Sequence, residues 1–171
     1  MNNYDLRRDR DLLNYMIDRQ IAELEAARSA MLFRLEGVVV PKARPRSTTT
    51  GHVYTEPSYA EWKSMATNAF EEIKTLYPDY TYPLQKCNAF YVLDGKYSRK
   101  GDGDNIAGSI NDALVDSSGK QEAKKLAEKR GLTEYEKPGI LRGDNINCIP
   151  SQTITLNYDK KRPPSLLVCL Y

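Results

Sequence analysis

With 171 residues, 40% of them apolar, the chain can bury one substantial core and is too short for two full domains. Its longest apolar run, Leu166 to Leu170, is far below the about 20 residues of a membrane span, and Arg7, Arg8, Asp9 and Arg10 near the start do not form a leader, so a cytoplasmic protein away from membranes is expected. A net charge of +2 does not by itself mark a nucleic-acid binder, and Cys87, Cys148 and Cys169, widely spaced and without a CxxC pair, argue against a zinc site, a redox centre or a disulfide framework.

From Asp5 to about Ser29, Leu13, Ile17, Ile21 and Leu24 recur at helical spacing among charges, which predicts an amphipathic N-terminal helix. It is read as an appendage over residues 1–30, its apolar stripe covered by the core or by a second copy of the chain. The rest, residues 31–171, is read as one domain. Met31, Phe33 and Leu35 alternate with Leu32, Arg34 and Glu36 and run on into Val38, Val39 and Val40, predicting a strand that Pro41 and Pro45 stop. Thr48 to Glu56, with Gly51 at its centre, suggests a short hairpin, and Pro57 opens a helix whose stripe is Trp62, Met65, Ala66, Ala69, Phe70, Ile73 and Leu76. Pro78 ends it.

Cys87, Ala89, Tyr91 and Leu93 predict a well-covered strand that leads into a polar loop from Asp94 to Gly103. Asn105 to Val115 is helical, with Asp104 able to cap it, and residues 116–142 form a charged insertion containing a short solvated helix, Lys120 to Arg130. Thr153 to Tyr158 and Leu166 to Tyr171 are the closing strands. Mixed strands and helices give an α+β protein built on a central mixed sheet.

Lys100-Gly101-Asp102-Gly103-Asp104-Asn105 sets two carboxylates two residues apart between strand and helix, and on an extended backbone they project to one side. Converging hard oxygen donors suit magnesium, which keeps waters and accepts substrate phosphates. The same residues also fit a turn followed by a helix cap. An EF-hand loop is excluded, because Ile106 and Ala107 stand where it needs an oxygen ligand and a glycine.

Asp102-Gly103-Asp104-Asn105-Ile106, followed by Asn111-Asp112-Ala113-Leu114, resembles the signature of the RusA family of Holliday junction resolvases. Pro41-Lys42-Ala43-Arg44-Pro45-Arg46, then Val53, Tyr54, Tyr59 and Trp62, are similar to the basic and aromatic stretches of phage-type members. The resemblance runs from about Phe33 to the C-terminus, leaving out the N-terminal helix and the insertion. It implies a RusA-like fold, a metal centre of Asp102, Asp104 and Asp144 holding Mg2+ with Mn2+ as a substitute, and phosphodiester hydrolysis in branched DNA. It also implies homodimers and a role in recombination or repair in a bacterial or phage-infected cell. Two departures stand out: Gly108 replaces a lysine common four residues after the second aspartate, and Gly143 replaces an aspartate before Asp144. Lys96, Arg99, Lys100 or Arg142 is expected to supply the missing charge.

Lys42, Arg44 and Arg46 alternate on a proline-stiffened segment, as a grip on DNA phosphates would, or as an ordinary solvated loop does. Asn105 and Asp112 are read as supporting residues, seven apart on one helical face, with Asp112 ordering Asn105 or a water. Tyr54, Tyr59 and Tyr97 are candidate stacking surfaces for unpaired bases, and His52, the sole histidine, is a loop residue. The alternative to a nuclease is a branched-DNA-binding protein of the same fold without turnover.

Overall fold

The computed structural model describes residues 6–26, 31–42, 46–47, 53–54, 56–97, 102–115 and 139–171. The long helix α1 (Leu6–Ala26) is followed by β1 (Met31–Glu36), the two-residue strands β2 (Arg46–Ser47) and β3 (Val53–Tyr54), and helix α2 (Pro57–Leu76). Then come β4 (Ala89–Gly95), α3 (Gly103–Val115), β5 (Gln152–Tyr158) and β6 (Ser165–Leu170). The main sheet has the order β1-β6-β4-β5, with β4 and β5 parallel and the other pairs antiparallel. This is the expected mixed sheet of an α+β protein. A two-residue antiparallel pair, β2–β3, stands near the expected hairpin of Thr48 to Glu56, but its first strand precedes that segment, and residues 48–52 and 55 lie outside the described residues.

Parity along the strands decides which face is buried. Ala89, Tyr91 and Leu93 of β4, Leu166, Val168 and Leu170 of β6, and Met31 and Phe33 of β1 turn inward and are all buried. They meet Tyr59, Trp62, Ala66 and Phe70 of α2 and Ile110, Ala113 and Leu114 of α3 in one core. Met65 and Leu76, expected in the α2 stripe, are instead 47% and 70% exposed, because the helix covers a single sheet face and only its narrowest stripe reaches that face.

Strand ends differ from expectation for local reasons. β1 stops at Glu36 rather than Val40: Gly37 takes φ +103°, and although its N–H still donates to Pro164 O at 2.8 Å, Pro164 has no N–H to return the bond. β4 runs two residues past Leu93, because Asp94 and Gly95 still pair with Asn157 and Tyr158. Both faces of the edge strand β5 are largely open, and Leu156 and Tyr158 are about half exposed despite their alternation.

On α1, Leu13, Ile17 and Ile21 are 58%, 46% and 51% exposed, so the described core does not cover its apolar stripe. The helix is tied to the rest by Gln20 Nε2 donating to Thr153 Oγ1 at 2.8 Å and by Asn88 Nδ2 donating to Glu23 Oε2 at 3.1 Å. No described helix is long and apolar enough to cross a membrane. All three cysteines are unpaired, and burial pushes the Cys87 thiol up to about 11. The bulk of the charged insertion, residues 116–138, lies outside the described residues.

Candidate functional site

The chain leaves β4 at Gly95 and returns over the inner face of the sheet as α3, whose first residue, Gly103, lies against Ile154 of β5. Ile106 N–H donates to Asp102 O at 3.1 Å, which puts Asp102 at the N-cap position and Asp104 in the first turn. The helix thus begins two residues before the expected Asn105, and Asp104 is not its cap. The pair straddles a helix start rather than an extended strand, so the argument for one-sided projection does not apply to it.

Both carboxylates are exposed, and neither has an ion pair or hydrogen bond among the described residues. Their anionic forms sit at the positive end of a helix dipole, which offsets part of their mutual repulsion. Two open oxygen donors in that setting match what a hard divalent cation accepts when waters and phosphate fill the remaining positions.

Asp144 is placed differently. It lies in an exposed turn fastened beneath the other end of α3: Leu141 N–H donates to Leu114 O at 3.1 Å, Arg142 N–H to Leu84 O at 3.0 Å, and Cys148 N–H to Asn145 O at 2.9 Å. Among the described residues no three His, Cys, Asp or Glu side chains form a group that could hold a metal, and Asp102, Asp104 and Asp144 are not gathered into one.

Asp112 is occupied by neighbours on other elements. Its Oδ2 accepts from the Tyr59 hydroxyl at 2.6 Å and pairs with Lys42 Nζ at 2.8 Å. Lys42 also donates its backbone N–H to Asn105 O at 3.1 Å, and its stem passes 3.8 Å from where a Cβ on Gly108 would sit. Asp112 therefore ties α2 and the segment after β1 onto α3, and reaches Asn105 only through Lys42. A Cβ at Gly108 would make only an ordinary contact with that stem.

The other expected cations are spread out. Lys96 is exposed just past β4, and Arg142 is exposed with its Nη1 donating to Gln85 Oε1 at 2.7 Å. Arg46 lies on β2, paired with Tyr54. Arg44, Arg99, Lys100 and His52 lie outside the described residues. Tyr59 and Tyr97 are each 6% exposed, too enclosed to stack on bases, and burial pushes the Tyr97 phenol, whose hydroxyl donates to Gly37 O, up to about 12.

Two polar clusters had no place in the sequence reading. Beneath α3, the fully buried Tyr91 hydroxyl donates to Asn111 Oδ1 at 2.7 Å, and Asn111 Nδ2 donates to Gln152 Oε1 at 2.7 Å, which fixes the helix to β4 and β5. On the other face, at the end of β4, buried Asp94 is held by three residues. Arg34 Nη1 approaches at 2.9 Å, Arg162 grips both oxygens at 2.9 and 3.0 Å, and Asn157 Nδ2 donates at 2.9 Å. The Arg34 hydrogen bond, with Arg162 and Asn157, holds this carboxyl below the usual range. A visible hint was Asp94 breaking the apolar run Tyr91-Val92-Leu93, as Arg34 breaks the run Met31-Leu32-Phe33.

Residues 36–125, more than half of the chain, match the family model described as Endodeoxyribonuclease RusA. The matched stretch contains Asp102, Asp104, Asn105, Asp112 and the basic segment, and stops short of Asp144. No curated protein and no solved structure matches the chain.

Proposed function

The chain belongs to the RusA family of endodeoxyribonucleases, and from that membership we propose that it cuts branched DNA, four-way junctions first among them, by metal-dependent phosphodiester hydrolysis. The observation that carries this reading is the pair of unpartnered carboxylates, Asp102 and Asp104, at the start of α3 inside the matched stretch. Asp102 and Asp104 are the residues that would hold Mg2+, with Mn2+ as a substitute. When bound, the cation supplies charge neutralisation at the phosphate and acidifies a water. The chain's own part is positional. The Tyr91–Asn111–Gln152 link and the Lys42–Asp112–Tyr59 link hold α3 to the sheet, to α2 and to the segment that leads into the basic stretch, so the acidic helix start is presented on a fixed support.

The test is incubation with a synthetic four-way junction in magnesium. Paired, symmetric nicks are expected, and Asp104→Asn or Asp102→Asn should lower their rate by more than about a hundredfold, the upper end of what outer-sphere changes cause. Asp144→Asn separates a two-aspartate centre, for which nicking persists, from one completed by Asp144. A second reading, a junction-binding protein without turnover, is favoured by the lack of a three-ligand group among the described residues and by Gly108 standing where the family often has a lysine. Tight binding without nicks would establish it and end the nuclease assignment. We further propose a homodimer that uses the uncovered stripe of α1, since a four-way junction has approximate two-fold symmetry.

A further inference from the structure

The turn joining β5 to β6 reads Asp159-Lys160-Lys161-Arg162-Pro163-Pro164. It is held from inside by Asp159, whose Oδ1 accepts Lys161 N–H at 2.9 Å and whose Oδ2 accepts Arg162 Nε at 3.0 Å. It is also clasped to β4. Asp159 N–H donates to Gly95 O at 3.2 Å, Lys96 N–H donates to Arg162 O at 3.0 Å, and Gly95, at φ +94°, leaves no room for a Cβ against Pro163 O. Arg162 adds its two-oxygen grip on Asp94.

The charges sort into two sets. Asp94 and Asp159 are neutralised by Arg34 and Arg162, while Glu36 is the remaining carboxylate at this end of the sheet. Lys96, Lys160 and Lys161 are exposed and have no ion pair among the described residues. A lysine pair on a freely moving loop is ordinary solvated surface, whereas here the backbone beneath it is fixed at several points, so little loop entropy would be lost on meeting a fixed line of phosphates. The placement suits that use. Gly103 lies against Ile154, and Tyr158, which leads into the turn, is four residues farther along the same strand, about 13 Å at roughly 3.3 Å per residue. That is about four base-pair steps of B-DNA at roughly 3.4 Å each.

We propose that Lys160 and Lys161, with Lys96 beside them, form a pre-set grip on the phosphate backbone of a DNA arm flanking the acidic start of α3. This rests on the DNA-binding half of the proposed function, not on turnover. The test measures binding of a fluorescent four-way junction with divalent metal chelated, between 50 and 200 mM salt. Replacing both Lys160→Ala and Lys161→Ala should weaken binding and make the log–log salt slope shallower by about 1.8, two contacts at about 0.9 each. Lys86→Ala, an exposed cation before the opposite end of β4, should leave the slope as it is. An unchanged slope in the double variant, or an equal loss in Lys86→Ala, overturns the proposal. If the alanine pair lowers the melting temperature, Lys160→Gln with Lys161→Gln keeps the stems and carries the same test. Wild-type protein that binds phosphatidylserine vesicles and not the junction would also overturn it. A turn-dependent slope in a protein that never nicks removes the nuclease reading and leaves this one standing.

Discussion

Asp94 and Asp112 show how much the surroundings of a carboxylate decide its use. Asp112 lies next to the signature Asn111 and invites a role near the metal, yet its Oδ2 is held by Tyr59 and Lys42. Tyr59→Phe removes the neutral donor and leaves the half-exposed Lys42 as the one partner of Asp112 among the described residues. A loss of about 1.5 kcal/mol in urea unfolding is expected, the lower end for hydrogen bonds to a charged group. Asp94 has a depressed pKa, so its stabilisation is fully present above the unfolded value and is lost as pH falls through the folded one. The denaturation midpoint should therefore drop as pH goes below about 4, and Asp94→Asn should flatten that part of the profile. A profile as steep in the variant as in the wild type would show that other carboxylates govern acid unfolding. The acidic pair at 102 and 104 was legible because it sits in a short local motif. The partners of Asp94 come from residues 34, 157 and 162, and no local pattern announces pairs that distant.

At the scale of elements, the sequence pattern located the long helices and the strands of the main sheet among the described residues, although α1 and β5 carry that period without burying the face it marks. Boundaries were less legible. Gly37 and Gly95 bend the backbone at strand ends, but the same residue type would also fit inside a loop; the positive φ at both, and the Pro163 carbonyl against Gly95, are visible only in the fold. Gly95→Ala should cost more than about 1 kcal/mol, because strain at positive φ is joined by a collision with backbone. Phe70 of α2 is 2% exposed and meets Phe33 edge-on at 5.4 Å between ring centroids. Phe70→Ala should cost about 3–5 kcal/mol, measured as a shift in urea midpoint. Met65→Ala, on the same helix but half exposed, should cost far less, and equal losses would contradict the described burial of α2.

For the molecule as a whole, α1 is the element whose role the fold leaves least explained by this chain alone. Its apolar positions face solvent while its polar Gln20 and Glu23 make the contacts with the sheet region. Replacing Leu13→Asp and Ile17→Asp should halve the mass seen by sedimentation if the helix pairs two copies, and an unchanged mass would assign dimerisation elsewhere or nowhere.

The strand order β1-β6-β4-β5 places the last of these four strands in sequence between the first and the second, β1 and β4. Among the described residues Met31–Glu36 pairs only with Ser165–Leu170, more than a hundred positions later, so β1 waits for its partner until residues 165–170 have been made. Deleting the final seven residues would therefore not trim an edge: it would take out the plank that joins the two halves of the sheet. Assembly of the sheet is in this sense gated by β6, and a nascent chain stalled short of Ser165 should be readily cut by protease throughout β1.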